Sequence, residues 1–219
     1  INVGFAALQL NQALNFSPAV FGLGAGIFFI GYFLFEIPSN LIMERVGARI
    51  WIARILVTWG IISSATMFVR GPLTFYTLRF LLGIAEAGFF PGMILYLTYW
   101  FPAEVRGRAI ARFMTATAMA GVIGGPLSGV LLQMNGIAGL AGWQWLFLIE
   151  GLPAVVLGFV TLVYLPDSPK SASWLNEAQK AWIASRLERE REETLRHGNG
   201  TMRDALASRL VWTLSVIYF

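Results

Sequence analysis

The feature that most limits what this chain can become is a series of long apolar runs separated by short turns. A helix needs about 20 mainly apolar residues to cross a hydrocarbon core of ~30 Å. Five stretches reach that length, at roughly 19–42, 50–69, 73–100, 109–134 and 145–165. An apolar run over 1–14 and another over 209–219 are shorter, and both ends of the sequence read as cut. Charge follows the same partition: Val20 to Phe35 and Gly121 to Trp145 carry none, whereas Asp167 to Arg209 holds half of the 16 Lys and Arg residues. With 57% hydrophobic and 13% charged residues, there is too little polar surface to coat a soluble domain. The expectation is an all-α membrane protein of six helices, the first truncated, with a polar connector over 166–208 and the start of a seventh helix.

The turns carry their own chemistry in Asn15-Phe16-Ser17-Pro18, Arg70-Gly71-Pro72 and the Gly-rich stretch from Asn135 to Gly142. Arg-rich turns alternate with uncharged ones. The segments 44–49 and 104–108 and the long connector are basic, while 13–18 and 135–144 have no Arg or Lys. By the positive-inside rule the basic group is cytoplasmic, so the first helix runs outward and the N-terminus and connector lie inside. The net charge of +4 is therefore read as orienting helices in a bilayer, and nucleic acid is not an expected partner. The absence of cysteine excludes disulfides, thiol catalysis and thiolate metal sites.

Glycines recur within the spans, at 22, 24, 26 and 31, at 83, 88 and 92, and at 121, 124, 125 and 129. Small residues at helical spacing let backbones approach closely in a membrane bundle, so tight packing is their expected role. Gly124-Gly125-Pro126 is the expected place for a bend, because proline lacks a backbone donor and crowds the preceding turn. In the connector, Asn176 is placed to cap a helix that starts Glu177-Ala178-Gln179-Lys180. Arg186/Glu190, Arg189/Glu193 and Glu192/Arg196 then share i,i+4 spacing, as on a solvated helix. The single histidine, His197, sits at the end of that segment and is not expected to bind metal or catalyse.

The informative residues are ionisable groups inside the apolar spans, since a charge near the bilayer centre costs at least ~2.5–3.5 kcal/mol on insertion scales. Arg79 and Glu86 are seven residues apart in the run 73–100, on one helix face and ~10 Å apart along the axis. They are too far apart for a direct ion pair. In a helix of ~40 Å, Glu86 falls near the middle and Arg79 nearer the outer end. Arg79 could instead snorkel to that interface, and Glu86 could satisfy a structural hydrogen bond. Glu36 is placed toward the cytoplasmic end, within reach of Arg106 or Arg108 as a gate, and Tyr32, a turn above it, can donate into a cavity. Glu150 is assigned no role.

Several segments resemble the major facilitator superfamily and, within it, the anion:cation symporters. Glu44-Arg45-Val46-Gly47-Ala48-Arg49 is similar to that superfamily's loop between helices 2 and 3, usually Asp-Arg-x-Gly-Arg-Arg, with Glu and Ala as departures. Arg79 to Gly92, then Tyr99-Trp100-Phe101-Pro102 and Gly142 to Gly151, are similar to bacterial tartrate and related carboxylate transporters, in the same order and spacing. The resemblance covers essentially the whole chain. It implies the N-terminal six-helix half of a two-half transporter, with a central cavity between the halves that opens alternately to either side.

The resemblance further implies that Arg79, Tyr32 and Asn2 contact a substrate anion, Asn2 being the remnant of an Arg-x-Asn motif. It implies that Glu86 couples a proton, and that Glu36, Glu44, Arg45, Gly47, Arg49, Arg106 and Arg108 belong to a cytoplasmic gate. The expected function is uptake of a small organic anion with a coupling cation, a proton or sodium, across the inner membrane. The expected partners are that anion and cation, the bilayer and the C-terminal half. No cofactor is expected. Gly121 to Gly129 also resembles the Gly-Pro motif of drug/proton antiporters, which leaves efflux as the alternative. An intramembrane enzyme would require a nucleophile, metal ligands or paired catalytic acids, and the spans offer none.

Overall fold

A computed structural model describes residues 2–196 and 207–218. His197 lies outside the described residues. Helix α1 spans Asn2–Leu14, α2 Pro18–Val46, α3 Ala48–Ala65, α4 Pro72–Glu86, α5 Phe89–Thr98, α6 Ala103–Gln133, α7 Gly142–Tyr164, α8 Glu177–Arg196 and α9 Arg209–Tyr218. Short 3-10 turns occupy Thr66–Phe68, Ile137–Gly139 and Pro169–Ser171. Five segments among the described residues are long and apolar enough to cross a membrane, with α4 and α5 together forming one of them.

Local chemistry explains where the helices start and stop. Ser17 is extended and its hydroxyl accepts the Val20 amide at 3.2 Å, while Pro18 occupies the first helical position, where a missing N–H costs nothing. That helix continues through Glu44 and Arg45 until Gly47, whose φ of +98° ends it and whose N–H reaches the Met43 carbonyl at 2.9 Å. The expected loop 44–49 is thus helix on both sides of one glycine. Likewise α6 starts at Ala103, so Arg106 and Arg108 lie in its first turns rather than in a loop.

Two helix pairs pack closely along glycines in their interiors. Between α2 and α4, a Cβ on Gly83 would overlap the Phe28 carbonyl, and one on Gly31 would fall 2.6 Å from the Phe80 carbonyl. Between α3 and α7, one on Gly60 would fall 2.7 Å from the Gly151 carbonyl, and one on Gly158 3.0 Å from that of Ala53. Small residues are what permit these contacts. The glycines expected to pack divide accordingly: Gly24, Gly31, Gly83, Gly88 and Gly92 meet neighbours, whereas Gly22, Gly26, Gly121, Gly124 and Gly129 face open space.

One buried cluster gathers Leu10, Phe75, Leu131, Leu146 and Phe147 from four helices, and a second gathers Met43, Ala48, Ile52 and Tyr96. Outside these, α2 and α6 present large apolar side chains outward, including Phe33, Val122 and Val130. Water would not tolerate such a surface, but lipid or another helix layer does.

At Pro126, where a bend is expected, α6 is not interrupted and runs from Ala103 to Gln133. The break falls instead inside the expected span 73–100. Ala87 leaves the helix at φ −53° and ψ 131°, Gly88 adopts φ +82°, and α5 begins at Phe89.

Candidate functional site

The α2/α4 seam positions Arg79. The side chain is only 9% exposed and does not snorkel to an interface. Its Nε donates to the Gly24 carbonyl at 3.3 Å, and its guanidinium lies over the Phe28 ring, 4.6 Å from the centroid. Phe28 in turn contacts the Tyr32 ring at 5.9 Å, one turn along α2. Arg79, Phe28 and Tyr32 therefore form one cation and aromatic array on the inner side of the seam. Among the described residues, the hydrogen bond of Arg79 engages Nε and not the two Nη groups. Gly83, between Arg79 and Glu86 on α4, fixes this register because nothing larger fits against Phe28 and Tyr32.

Glu86 is the last residue of α4, immediately before the break, and is half-buried. Arg79 and Glu86 lie in each other's electrostatic field but not in contact. Beyond the break, Gly88 packs on Ser39, where a Cβ would overlap the serine hydroxyl, and Gly92 packs on Met43 and Asn40. The Ser39 hydroxyl accepts from the Trp51 indole of α3 at 2.9 Å, and Asn40 donates to the Glu36 carbonyl at 2.8 Å. Asn2 opens α1, half-buried.

The Arg-rich end is organised differently from the sequence reading. Arg106 donates through Nη2 to Glu190 of α8 at 2.7 Å and through Nε to the Phe101 carbonyl, and Glu190 also accepts the Ala103 amide at 2.9 Å. Arg106 is thus committed to the connector and does not pair with Glu36. Burial acts to raise the Glu190 carboxyl, but the hydrogen bonds from Arg106 and Ala103 and the arginine's charge outweigh it and hold the group below its ordinary value.

Arg186 reaches Glu104 at 3.1 Å rather than its expected i,i+4 partner Glu190, and Trp174 stacks on Trp100 at 6.0 Å. The connector helix is therefore docked on the bundle as well as solvated, because α6 starts early enough to offer it Glu104 and Arg106. Its start follows the expected cap, with Asn176 Oδ1 accepting the Gln179 amide at 2.8 Å and the Gln179 side chain accepting the Asn176 amide at 3.0 Å. Arg49 and Gly47 meet Asp167: the Arg49 amide donates to its carboxylate at 2.9 Å and the guanidinium lies 3.8 Å away. Glu36 and Glu44, with Asn40, Pro91 and Leu95, line an open groove of about 370 Å³ between α2 and α5.

Sequence reasoning missed four residues. Asp167 follows Leu165-Pro166, where a helix end brings a carboxylate back to the 44–49 segment. Phe28 carries no charge and gave no signal. Arg54 of α3 lies over Trp51 at 3.9 Å, with its Nε buried and unpartnered among the described residues. The fully buried Ser128 of α6 donates to Glu150 of α7 at 2.6 Å, giving Glu150 an interhelical hydrogen bond where no role was expected. Among the described residues no group of three or more His, Asp or Glu side chains could hold a metal ion.

A glycine-packed bundle with five apolar crossings and a buried arginine in its inner seam defines a multi-pass membrane protein of transporter type. The sequence pattern described as Major Facilitator Superfamily matches residues 1–219, and the chain belongs to that family. It is 54% identical over 219 residues to an Agrobacterium vitis protein named as a tartrate transporter, covering 100% of this chain and 50% of the relative. It is 48% identical over 218 residues to a quinolone resistance transporter of Acinetobacter baumannii, covering 99% of this chain and 50% of that protein. The chain thus spans about half the length of the curated relatives it matches. A solved structure of a bacterial homologue of the human lysosomal transporter Spinster, inward-facing and occupied, aligns at a TM-score of 0.70. It covers 79% of this chain and 42% of that one, at 21% identity, a likeness of fold alone.

Proposed function

We propose that this chain is the N-terminal half of a secondary transporter that carries a small organic anion, a dicarboxylate or sugar acid, across the inner membrane together with a proton. The observation that carries the reading is Arg79, buried in the α2/α4 seam with Nε and the ring face of its guanidinium held by protein and its Nη groups left over. A fork so oriented suits a carboxylate, which it binds bidentately. Tyr32 extends the same array, and Asn2 supplies a further polar contact from α1.

Glu86 is the coupling acid in this reading. It takes a proton from the outside and releases it to the cytoplasm, and loading both proton and anion neutralises the cavity before the halves rock. Its place at the α4/α5 break supports this, because a backbone discontinuity beside an ionisable group is where a charge change can alter helix geometry. Glu36, Glu44, Arg45, Gly47, Arg49, Arg106 and Arg108 then belong to the cytoplasmic end, where the contacts of Asp167 and α8 supply a fixed frame for a gate. The Arg-rich end faces the cytoplasm in this orientation, with the N-terminus and connector inside.

The test is Glu86→Gln in the complete protein reconstituted in vesicles. Anion accumulation driven by a pH gradient collapses while anion exchange persists, and unchanged accumulation eliminates Glu86 as the coupling group. The quinolone resistance relative supports a second reading, proton-coupled efflux. Competition separates the two: dicarboxylates displace substrate from an anion symporter, whereas cationic dyes displace it from an exporter.

A further inference from the structure

The first three turns of α6 carry four charged side chains, Glu104, Arg106, Arg108 and Arg112. Glu104 and Arg106 point to α8, where they pair with Arg186 and Glu190. Arg108 and Arg112, four residues apart and about 6 Å along the axis, border one groove instead. Neither has an acidic partner among the described residues, because both nearby carboxylates are already engaged. Like charges at this spacing repel, so an anion from outside the chain would stabilise the pair.

The two arginines border a groove of about 360 Å³ between the end of α5 and the start of α6, whose remaining lining is Leu97, Phe101, Val105 and Ala109. Phe101 is 38% and Val105 37% exposed. The groove lies at the level of the stacked Trp100 and Trp174, and tryptophans are enriched where hydrocarbon meets headgroups. A soluble anion would use the arginines and gain nothing from the apolar floor. A lipid uses both, with its phosphate on the guanidinium pair and an acyl chain along Leu97, Phe101 and Val105. Basic pockets between membrane helices bind anionic headgroups for this reason.

We propose that Arg108, Arg112 and the α5/α6 groove form a binding site for an anionic phospholipid in the leaflet at the Arg-rich end of the bundle. The inference rests on membrane embedding and not on the symport reading.

The experiment is native mass spectrometry of the complete protein titrated with phosphatidylglycerol or phosphatidylcholine. Wild type retains phosphatidylglycerol preferentially, and so does Arg191→Gln, which removes a like charge from α8. At roughly fivefold per arginine, Arg108→Gln with Arg112→Gln weakens phosphatidylglycerol binding about 25-fold and leaves phosphatidylcholine unaffected. Val105→Trp fills the apolar floor and weakens lipid binding with both charges intact. Undiminished phosphatidylglycerol binding by the double variant overturns the proposal. So does displacement of the lipid by an equal concentration of inorganic phosphate, which marks a free-anion site, or absence of any lipid preference in wild type, which marks a groove covered by the second half.

Discussion

Replacing Gly31 with alanine tests whether the α2/α4 seam sets the position of Arg79. A Cβ at this site falls 2.6 Å from the Phe80 carbonyl oxygen, against 3.4 Å for ordinary contact, so the helices must separate locally by 3.4 − 2.6 = 0.8 Å. The obstructing atom is backbone and cannot rotate away as a side-chain tip can. On the same seam Gly83 already packs closely on the Phe28 and Tyr32 backbone, so the strain cannot be relieved by sliding one helix along the other. Overpacking of this kind costs about 1–3 kcal/mol. At ~1–2 °C per kcal/mol for a complete protein about twice this length, the melting temperature falls by roughly 1–6 °C. Thermal unfolding of the complete protein in detergent, followed by tryptophan fluorescence, measures it. The hydrogen bond from Arg79 to Gly24, already long at 3.3 Å, stretches as the seam opens, so substrate affinity falls together with stability. A Gly31→Ala protein that melts and binds like wild type refutes the idea that close backbone approach at this seam holds the arginine.

Four further outcomes follow from the same contacts. Arg79→Lys keeps the charge but loses the planar fork and the stacking on Phe28, so anion affinity drops at least ~10-fold in a binding titration, the loss of one charge-assisted bond. Ser128→Ala removes the hydroxyl that donates to Glu150 between α6 and α7, and thermal unfolding registers a loss of about 1–3 kcal/mol. Gly88→Ala forces a side chain both into the φ +82° region and onto Ser39, so it depresses expression and stability more than Gly121→Ala, whose Cβ meets nothing in this half. Docking of α8 depends on pH with a definite sign: Glu190 is held below its ordinary value, so its contribution is complete above the ordinary carboxylate range and is lost as pH falls through the lowered folded value. Hydrogen-exchange protection of 177–196, corrected for the slower intrinsic exchange in acid, therefore falls as pH drops below the ordinary carboxylate range, and Glu190→Gln is already less protected at neutral pH.

Much of the fold was legible because bilayer thickness imposes a length on apolar runs and a place for charges. The five runs correspond to membrane-capable segments, and Ser17-Pro18 and Asn176 start their helices by the capping chemistry that their residue types announce. Boundaries at the Arg-rich end were harder, since Glu44, Arg45, Arg106 and Arg108 look like loop residues by polarity. They are helical because a membrane helix extends past the hydrocarbon into headgroups and water, where polar side chains carry no penalty. The connector's contacts were hidden for a related reason. Arg186 and Glu190 satisfy an i,i+4 pattern on paper, but Glu104 and Arg106 compete for the same groups and win once α6 reaches that far.

The uninterrupted passage of α6 through Pro126 and the break after Glu86 have the most physical content. Gly124-Gly125-Pro126 carries the residues that weaken a helix, yet α6 remains whole, because a helix loses one backbone hydrogen bond at a proline and keeps the rest. At Ala87 and Gly88 the signal lay in the order of residues. Gly88 supplies a left-handed conformation that stops one helix, and Pro91 falls in the first turn of the next, where its missing N–H has no partner to lose. Neither residue could show what the break is packed against. Ser39 and Asn40 come from another helix, and Trp51, which donates to Ser39, comes from a third. A break held on two sides by hydrogen-bonded side chains, directly after an ionisable residue, is a fixed discontinuity rather than a slack one. In the proposed coupling cycle, a change of charge at Glu86 would act on a junction whose packing partners are already in place.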